Sequence, residues 1–270
     1  MAGLRIATIS YLNTAPLMWD FDHGTLRREF EVEYCTPADC AQRLKAGSTD
    51  IGIIPVIAYA DIADLSLVPG VCIASRGPVK SILLISKVPT TEIKTVAVDT
   101  SSRTSVALLR ILLKKIDRIE PQFVPMAPQL APMLAKCDAA LLIGDAALTA
   151  KREGFHAYDL GEEWAKLTDK PFVFAFWAVR NPALDSTGTA ARLVRAFQQS
   201  RNHGIESSSI DRSAEVWSRQ LGMNENEIKD YLSRNINYYL TDDCVEGLML
   251  FYEYAVECGV IKSVPELKFL

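Results

Sequence analysis

Ser10-Tyr11-Leu12-Asn13-Thr14-Ala15-Pro16-Leu17 is the stretch on which the reading of this chain turns. It follows the short apolar run Leu4-Arg5-Ile6-Ala7-Thr8-Ile9, which reads as a buried strand. The run stops at small, polar, turn-forming residues, and Pro16 opens the next segment, so the pattern predicts a strand-to-helix turn. In open α/β sheets ligands sit outside the carboxyl ends of strands, where such turns lie. Asn13 offers an amide there, and Ser10 and Thr14 offer hydroxyls. The same residue types are preferred helix caps, so capping and ligand binding both fit.

Outward from this turn the pattern alternates strands and helices. Glu31-Val32-Glu33-Tyr34 reads as a second strand, Thr36 caps a helix with Pro37 at its first position, and Gly47 stops it. Asp50 to Pro55 is a third strand, which makes β-α-β-α-β, a parallel-sheet signature. Leu65 to Pro69, Val71 to Ser75 and Val79 to Ser86 are further strands, and Lys87-Val88-Pro89 looks like a boundary. A second β-α-β unit starts at Thr95 to Asp99 and ends with the strand Ala139 to Ile143 and a helix from Ala146. Phe172 to Arg180 reads as a long apolar strand returning between lobes, and the chain from Thr189 onward is mostly helical, with Asp211 as a candidate cap. The expectation is an α/β protein of two lobes with a cleft between them and a helical C-terminal segment. One lobe comprises residues 1–88 and 178–270, and an inserted lobe comprises residues 89–177.

Composition bounds the function. The chain has 270 residues, 49% hydrophobic and 23% charged, an ordinary globular balance. A net charge of −4 argues against a general nucleic-acid binder, and no apolar run reaches the length of a membrane span. The first residues enter a strand without a charged n-region, a long apolar region or a cleavage site, which gives the expectation of a cytoplasmic protein. Cys35, Cys40, Cys72, Cys137, Cys244 and Cys258 form no CxxC pair or zinc-spaced cluster, and read as free thiols. Cys35 and Cys40 can pair only if the turn between them allows it.

Four strand-end turns converge in this two-lobe arrangement: Ser10 to Thr14, Gly77 to Ser81, Thr100 to Ser105, and Gly144-Asp145. Thr100-Ser101-Ser102-Arg103-Thr104-Ser105 is the most informative, because hydroxyls and free N–H groups at a helix start favour an anion. Arg103 can add a bidentate contact to a carboxylate; an over-provisioned cap with a solvent-facing arginine fits the pattern equally well. Asp145 is well placed to cap the helix after it. The histidines His23, His156 and His203 lie outside these turns, and the chain has no GxSxG, P-loop, GxGxxG or HExxH motif. Neither a metal nor a cofactor is expected. Chemistry would come from positioning, hydrogen bonds and a group on the substrate.

Five segments resemble one family, the chorismate dehydratases of the futalosine route to menaquinone. They are Ile9 to Leu17, Gly77 to Leu84, Ser102 to Ser105, Leu142 to Leu148, and Tyr158 to Trp164 leading into Pro171 to Ala175. The resemblance implies a type 2 periplasmic-binding-protein-like fold. It also implies dehydration of chorismate, a small dicarboxylate, to 3-[(1-carboxyvinyl)oxy]benzoate. By matching motifs, Asn13 and Ser81 would be the polar residues nearest the reacting centre. Ser10, Thr14, Ser101, Ser102, Arg103, Thr104, Ser105, Gly144 and Asp145 are the candidate substrate contacts. No His or Glu presents itself as the base; the substrate's own enolpyruvyl carboxylate is one candidate, and the sequence does not identify the base. Three other readings share the fold: the sibling 1,4-dihydroxy-6-naphthoate synthase, a solute-binding protein, and a regulator's effector domain. The first has a Ser/Pro/Cys-rich N-terminal turn that this chain lacks, and the last would need a helix-turn-helix segment. The sequence sets no oligomeric state.

Overall fold

Short apolar runs form the interior strands because their side chains are buried on both faces. Every residue of Ile51–Pro55, Ile82–Ser86 and Ala139–Ile143 is buried. A computed structural model describes residues 3–184 and 188–270. Its strands are β1 (Leu4–Ile9), β2 (Phe30–Cys35), β3 (Ile51–Pro55), β4 (Leu65–Ser75), β5 (Ile82–Ser86), β6 (Thr95–Asp99), β7 (Gln122–Met126), β8 (Ala139–Ile143), β9 (His156–Asp159) and β10 (Phe172–Arg180). They form two five-stranded sheets, in the orders β2-β1-β3-β10-β4 and β7-β6-β8-β5-β9. In the first, β1 runs parallel to β2 and β3, and β10 runs antiparallel to β3 and β4. In the second, β6 runs parallel to β7 and β8, and β5 runs antiparallel to β8 and β9.

This pairing shifts both lobe boundaries expected from the sequence. Ile82–Ser86, expected within residues 1–88, is hydrogen-bonded on both sides in the second sheet, so the chain crosses before Ile82 and not at Lys87 to Pro89. Phe172 already pairs with Ser75, so the whole of β10 lies in the first sheet rather than dividing between Trp177 and Ala178. The break that matters is Arg76-Gly77-Pro78, which turns the chain out of β4. Leu65 to Ser75, expected as two strands, is one strand. Gly70 takes a left-handed φ of 75° in its middle, and the register against β10 slips there.

The helix Pro37–Ala46 forms as its sequence dictates, with Thr36 accepting from the Asp39 N–H and Gly47 closing it at φ 74°. Asp211 is not a cap, because its helix already begins at Ser207. Asn224 does open the helix Glu225–Asp230, through a capping box with Glu227. The Cys35 and Cys40 thiols lie 3.2 Å apart, and all six cysteines are free.

The C-terminal helices hold the N-terminal turn in place. Ser200, on the helix Thr189–Gly204, donates to the Leu17 carbonyl at 2.8 Å and accepts from the Asp20 N–H at 3.0 Å. Gly204 lies so close that a Cβ there would stand 1.8 Å from the Pro16 carbonyl oxygen. Further along, Trp164 packs edge-on against Phe172 and Phe251, which joins the helix Leu160–Thr168 to the helix Asp242–Glu257. Gly204→Ala is expected to destabilise the protein by about 1–3 kcal/mol through this backbone clash. Urea unfolding of the purified variant checks this, and an unchanged midpoint would show that the contact relaxes freely.

Candidate active site

Both sheets send strand ends into one cleft. The floor is apolar, from Ile9, Ile73, Phe174 and Ala175 on one side and Ile82 and Ile143 on the other. Polar groups enter from two turns, Tyr11 and Asn13 from the first and Ser102, Arg103, Thr104 and Ser105 from the second. About 480 Å³ of space, open to solvent, lies between these residues.

The first turn is a 3-10 helix, Leu12–Met18, which follows extended Tyr11 with no side-chain cap. Asn13 is therefore not a cap; its Oδ1 accepts from the Thr14 hydroxyl at 3.3 Å. The second turn is closed by Asp99 at the end of β6, whose Oδ1 accepts the Ser101 N–H and hydroxyl, both at 2.8 Å. The helix Thr104–Leu112 then starts without a side-chain cap, so its first N–H groups are open at the cleft. Arg103 lines the cleft while also pairing with Asp61 at 3.0 Å.

Of the residues expected to bind substrate, Asn13, Ser102, Arg103, Thr104, Ser105 and Gly144 line this cleft. Ser10, Thr14, Ser81, Ser101 and Asp145 do not. Ser10 is exposed beside an outer groove with Trp19 and Trp217. Thr14 is buried beneath Asn13. Ser101 faces Tyr11, hydroxyl to hydroxyl at 3.4 Å. Ser81 is buried next to Ile82, with its hydroxyl unpartnered. Asp145 does not cap its helix; its Oδ1 accepts the Leu12 N–H across the cleft at 3.0 Å.

Three further contacts close the cleft around these turns. The Ile57 N–H donates to the Thr104 hydroxyl at 3.3 Å. Gly144 has φ 57° and lies under Tyr11, whose ring would be 2.6 Å from a Cβ. The buried Asp159 accepts the N–H groups of Val79 and Lys80 at 3.0 and 2.6 Å, and those of Gly161 and Glu162 at 2.9 and 3.2 Å. That carboxylate fixes the corner carrying Ser81 and caps the helix Leu160–Thr168 together. Among the described residues, no group of three or more His, Cys, Asp or Glu side chains could hold a metal ion.

A family model described as menaquinone biosynthesis matches residues 4–257. The chain belongs to the menaquinone biosynthesis family. A chorismate dehydratase of Thermus thermophilus is 33% identical over 264 residues, 90% of this chain and 92% of that protein. Among solved structures, one of an Archaeoglobus fulgidus protein superposes with a TM-score of 0.72 at 18% identity, covering 96% of this chain and 98% of that one. The periplasmic aliphatic sulphonate binding protein SsuA of Escherichia coli superposes with a TM-score of 0.65 at 18% identity, covering 98% and 94%. The fold is thus periplasmic-binding-protein-like in this menaquinone biosynthesis chain, and no helix among the described residues is long and apolar enough to cross a membrane.

Two features around the cleft escape a sequence reading. Asp99 ends a strand like any other, and nothing in its neighbourhood signals that it ties the hydroxyl-rich turn. Tyr231 sits in helical register with Ile228 and Leu232, so it reads as core; in the fold its unpartnered hydroxyl stands by Ser81 and Asn13.

The Asp145 carboxyl is pushed up to about 6, first by burial, with the Leu12 N–H pulling it back. Below about pH 4 the group is neutral in both the folded and the unfolded chain. Between about 4 and 6 the unfolded chain ionises while the folded one keeps the proton, so this contribution to stability is lost as pH rises through that window. Asp145→Asn retains an acceptor for Leu12 and removes the titration. Relative to this variant, the wild-type protein is expected to gain about 1–2 kcal/mol of unfolding free energy on going from pH 7 to pH 4. Parallel pH profiles from denaturant titrations would contradict it.

Proposed function

We propose that this chain dehydrates chorismate to 3-[(1-carboxyvinyl)oxy]benzoate in menaquinone biosynthesis. The observation that carries the reading is the meeting of Asn13 with the open helix start at Ser102 to Ser105 in one cleft, in a chain 33% identical to a chorismate dehydratase.

The chemistry follows from the substrate. The ring carbon bearing the enolpyruvyl ether carries the proton to be lost, and it is vinylogous to the ring carboxylate. As the proton leaves, negative charge spreads onto that carboxylate. Hydroxide then leaves from the neighbouring carbon, and with the removed proton it makes the one water released. The ring becomes aromatic, which drives the step. The free N–H groups at the helix start, Thr104 and Ser105, and the hydroxyls of Ser102 to Ser105 hold one substrate carboxylate, and Arg103 adds positive charge beside it. Donors placed where charge develops lower the barrier most. Asn13 cannot act as a base near neutral pH and serves to orient the leaving hydroxyl. Ser81 has no activating base within reach, and its unpartnered hydroxyl, set behind the cleft lining, contributes a hydrogen bond when substrate is bound. The apolar floor leaves the enolpyruvyl carboxylate of the substrate as the base. Six free thiols and a biosynthetic reaction fit a cytoplasmic location.

Purified protein mixed with chorismate is expected to give a benzoate-like ultraviolet spectrum and a product lighter by one water. Unchanged chorismate from folded protein would point instead to the sibling naphthoate synthase or to carboxylate binding. Asn13→Ala and Ser81→Ala are each expected to lower kcat/KM by about 100-fold. Near-normal kcat/KM in both would remove these residues from the reaction.

A further inference from the structure

Tyr231 is buried to 1% exposure, and its hydroxyl makes no hydrogen bond. A hydroxyl left like this opposes folding, because it gives up water and gains nothing in return. Phenylalanine would fill the same space without that cost. Ser81, also buried to 1%, carries a second such hydroxyl. The two are neighbours: Tyr231 lines one groove together with Lys80, the residue before Ser81, and Ser81 and Asn13 both bear on its hydroxyl. Orphaned polar groups from two separate parts of the fold therefore meet behind the cleft lined by Asn13.

The backbone around Tyr231 is arranged to bring it there. The helix opened by the Asn224 capping box ends at Asp230 and continues as a π-turn, Tyr231–Asn235. Such widened turns recur at functional sites. Asn235 then donates to the Pro78 carbonyl at 2.9 Å, tying the π-turn to the corner that leads to Ser81. Asp159 fixes the same corner from the other side, through Val79 and Lys80.

We propose that Tyr231 is a positioning residue for the dehydration: once substrate occupies the cleft, its O–H comes to donate to Ser81 Oγ, which turns the Ser81 O–H toward the leaving hydroxyl of the bound substrate. The inference rests on the chorismate reading above. No proton is transferred from Tyr231. Burial holds the phenol above its ordinary range, so it stays neutral and acts as a hydrogen-bond donor. A donor behind Ser81 polarises that hydroxyl and orders it before charge develops on the departing oxygen.

The test compares wild type, Tyr231→Phe, Ser81→Ala and the double variant, each by chorismate turnover and by thermal unfolding. Tyr231→Phe is expected to lower kcat by roughly 10- to 100-fold with little change in KM, while the unfolding midpoint stays level or rises. In the Ser81→Ala background the same change is expected to have no further effect on kcat, because its route to the substrate is gone. Unchanged kcat in Tyr231→Phe overturns the proposal. So do losses that add in the double variant, since Tyr231 would then act independently of Ser81. A lowered midpoint accompanying lost activity assigns the hydroxyl to the fold and overturns it too. Wild-type protein that leaves chorismate unchanged overturns the chorismate reading and this inference with it, whereas active wild type with an unaffected Tyr231→Phe overturns the inference alone.

Discussion

One buried carboxylate fixes the centre of this molecule. Asp159 accepts four backbone N–H groups, two from the corner before β5 and two from the start of the helix Leu160–Thr168. Charge-assisted bonds of this kind are stronger than neutral ones, and those at a helix N-terminus also satisfy donors that the helix cannot. The carboxyl is nevertheless held above its ordinary range, with burial outweighing the four donors. The place where the chain leaves the first sheet and the place where it starts back are thus joined by one side chain. Ser81 follows that joint directly, so its position depends on Asp159 more than on any contact of its own.

The site is built by opposing turns, and each has its own anchor. The helix Thr189–Gly204 holds the Leu12–Met18 turn through Ser200 and the close approach of Gly204. The Thr100 to Ser105 turn hangs from Asp99. Leu12 and Asp145 then bond across the cleft, and Tyr11 lies on Gly144, a contact that only a residue without a Cβ permits. Preorganisation of this kind is what a reaction without an evident protein base requires, because the barrier must fall through placement and electrostatics.

Much of this was legible in the sequence. Strand ends rich in hydroxyls and glycine announced the turns, and Asn13, Ser102 to Ser105 and Gly144 meet as the pattern implied. What the pattern could not carry is sheet membership. Ile82–Ser86 is apolar on both faces, and either sheet would bury it equally well; the Asp159 anchor, distant in sequence, decides. Asp145 read as a cap because a local partner is the simplest one, yet its partner is Leu12, far back in the chain. Tyr231 was invisible for the opposite reason. An aromatic in helical register is usually core, and only the fold reveals that its hydroxyl lacks a partner.

The strand order also governs how the chain matures. β3 is complete by Pro55, but one of its neighbours, β10, begins only at Phe172. The second sheet draws all its strands from the intervening residues and can condense from closer partners. During synthesis the apolar β3 therefore waits with one edge open, the kind of surface that invites intermolecular pairing. β10 closes that edge by lying between β3 and β4, so the first sheet cannot be completed until the residues of the second have been made.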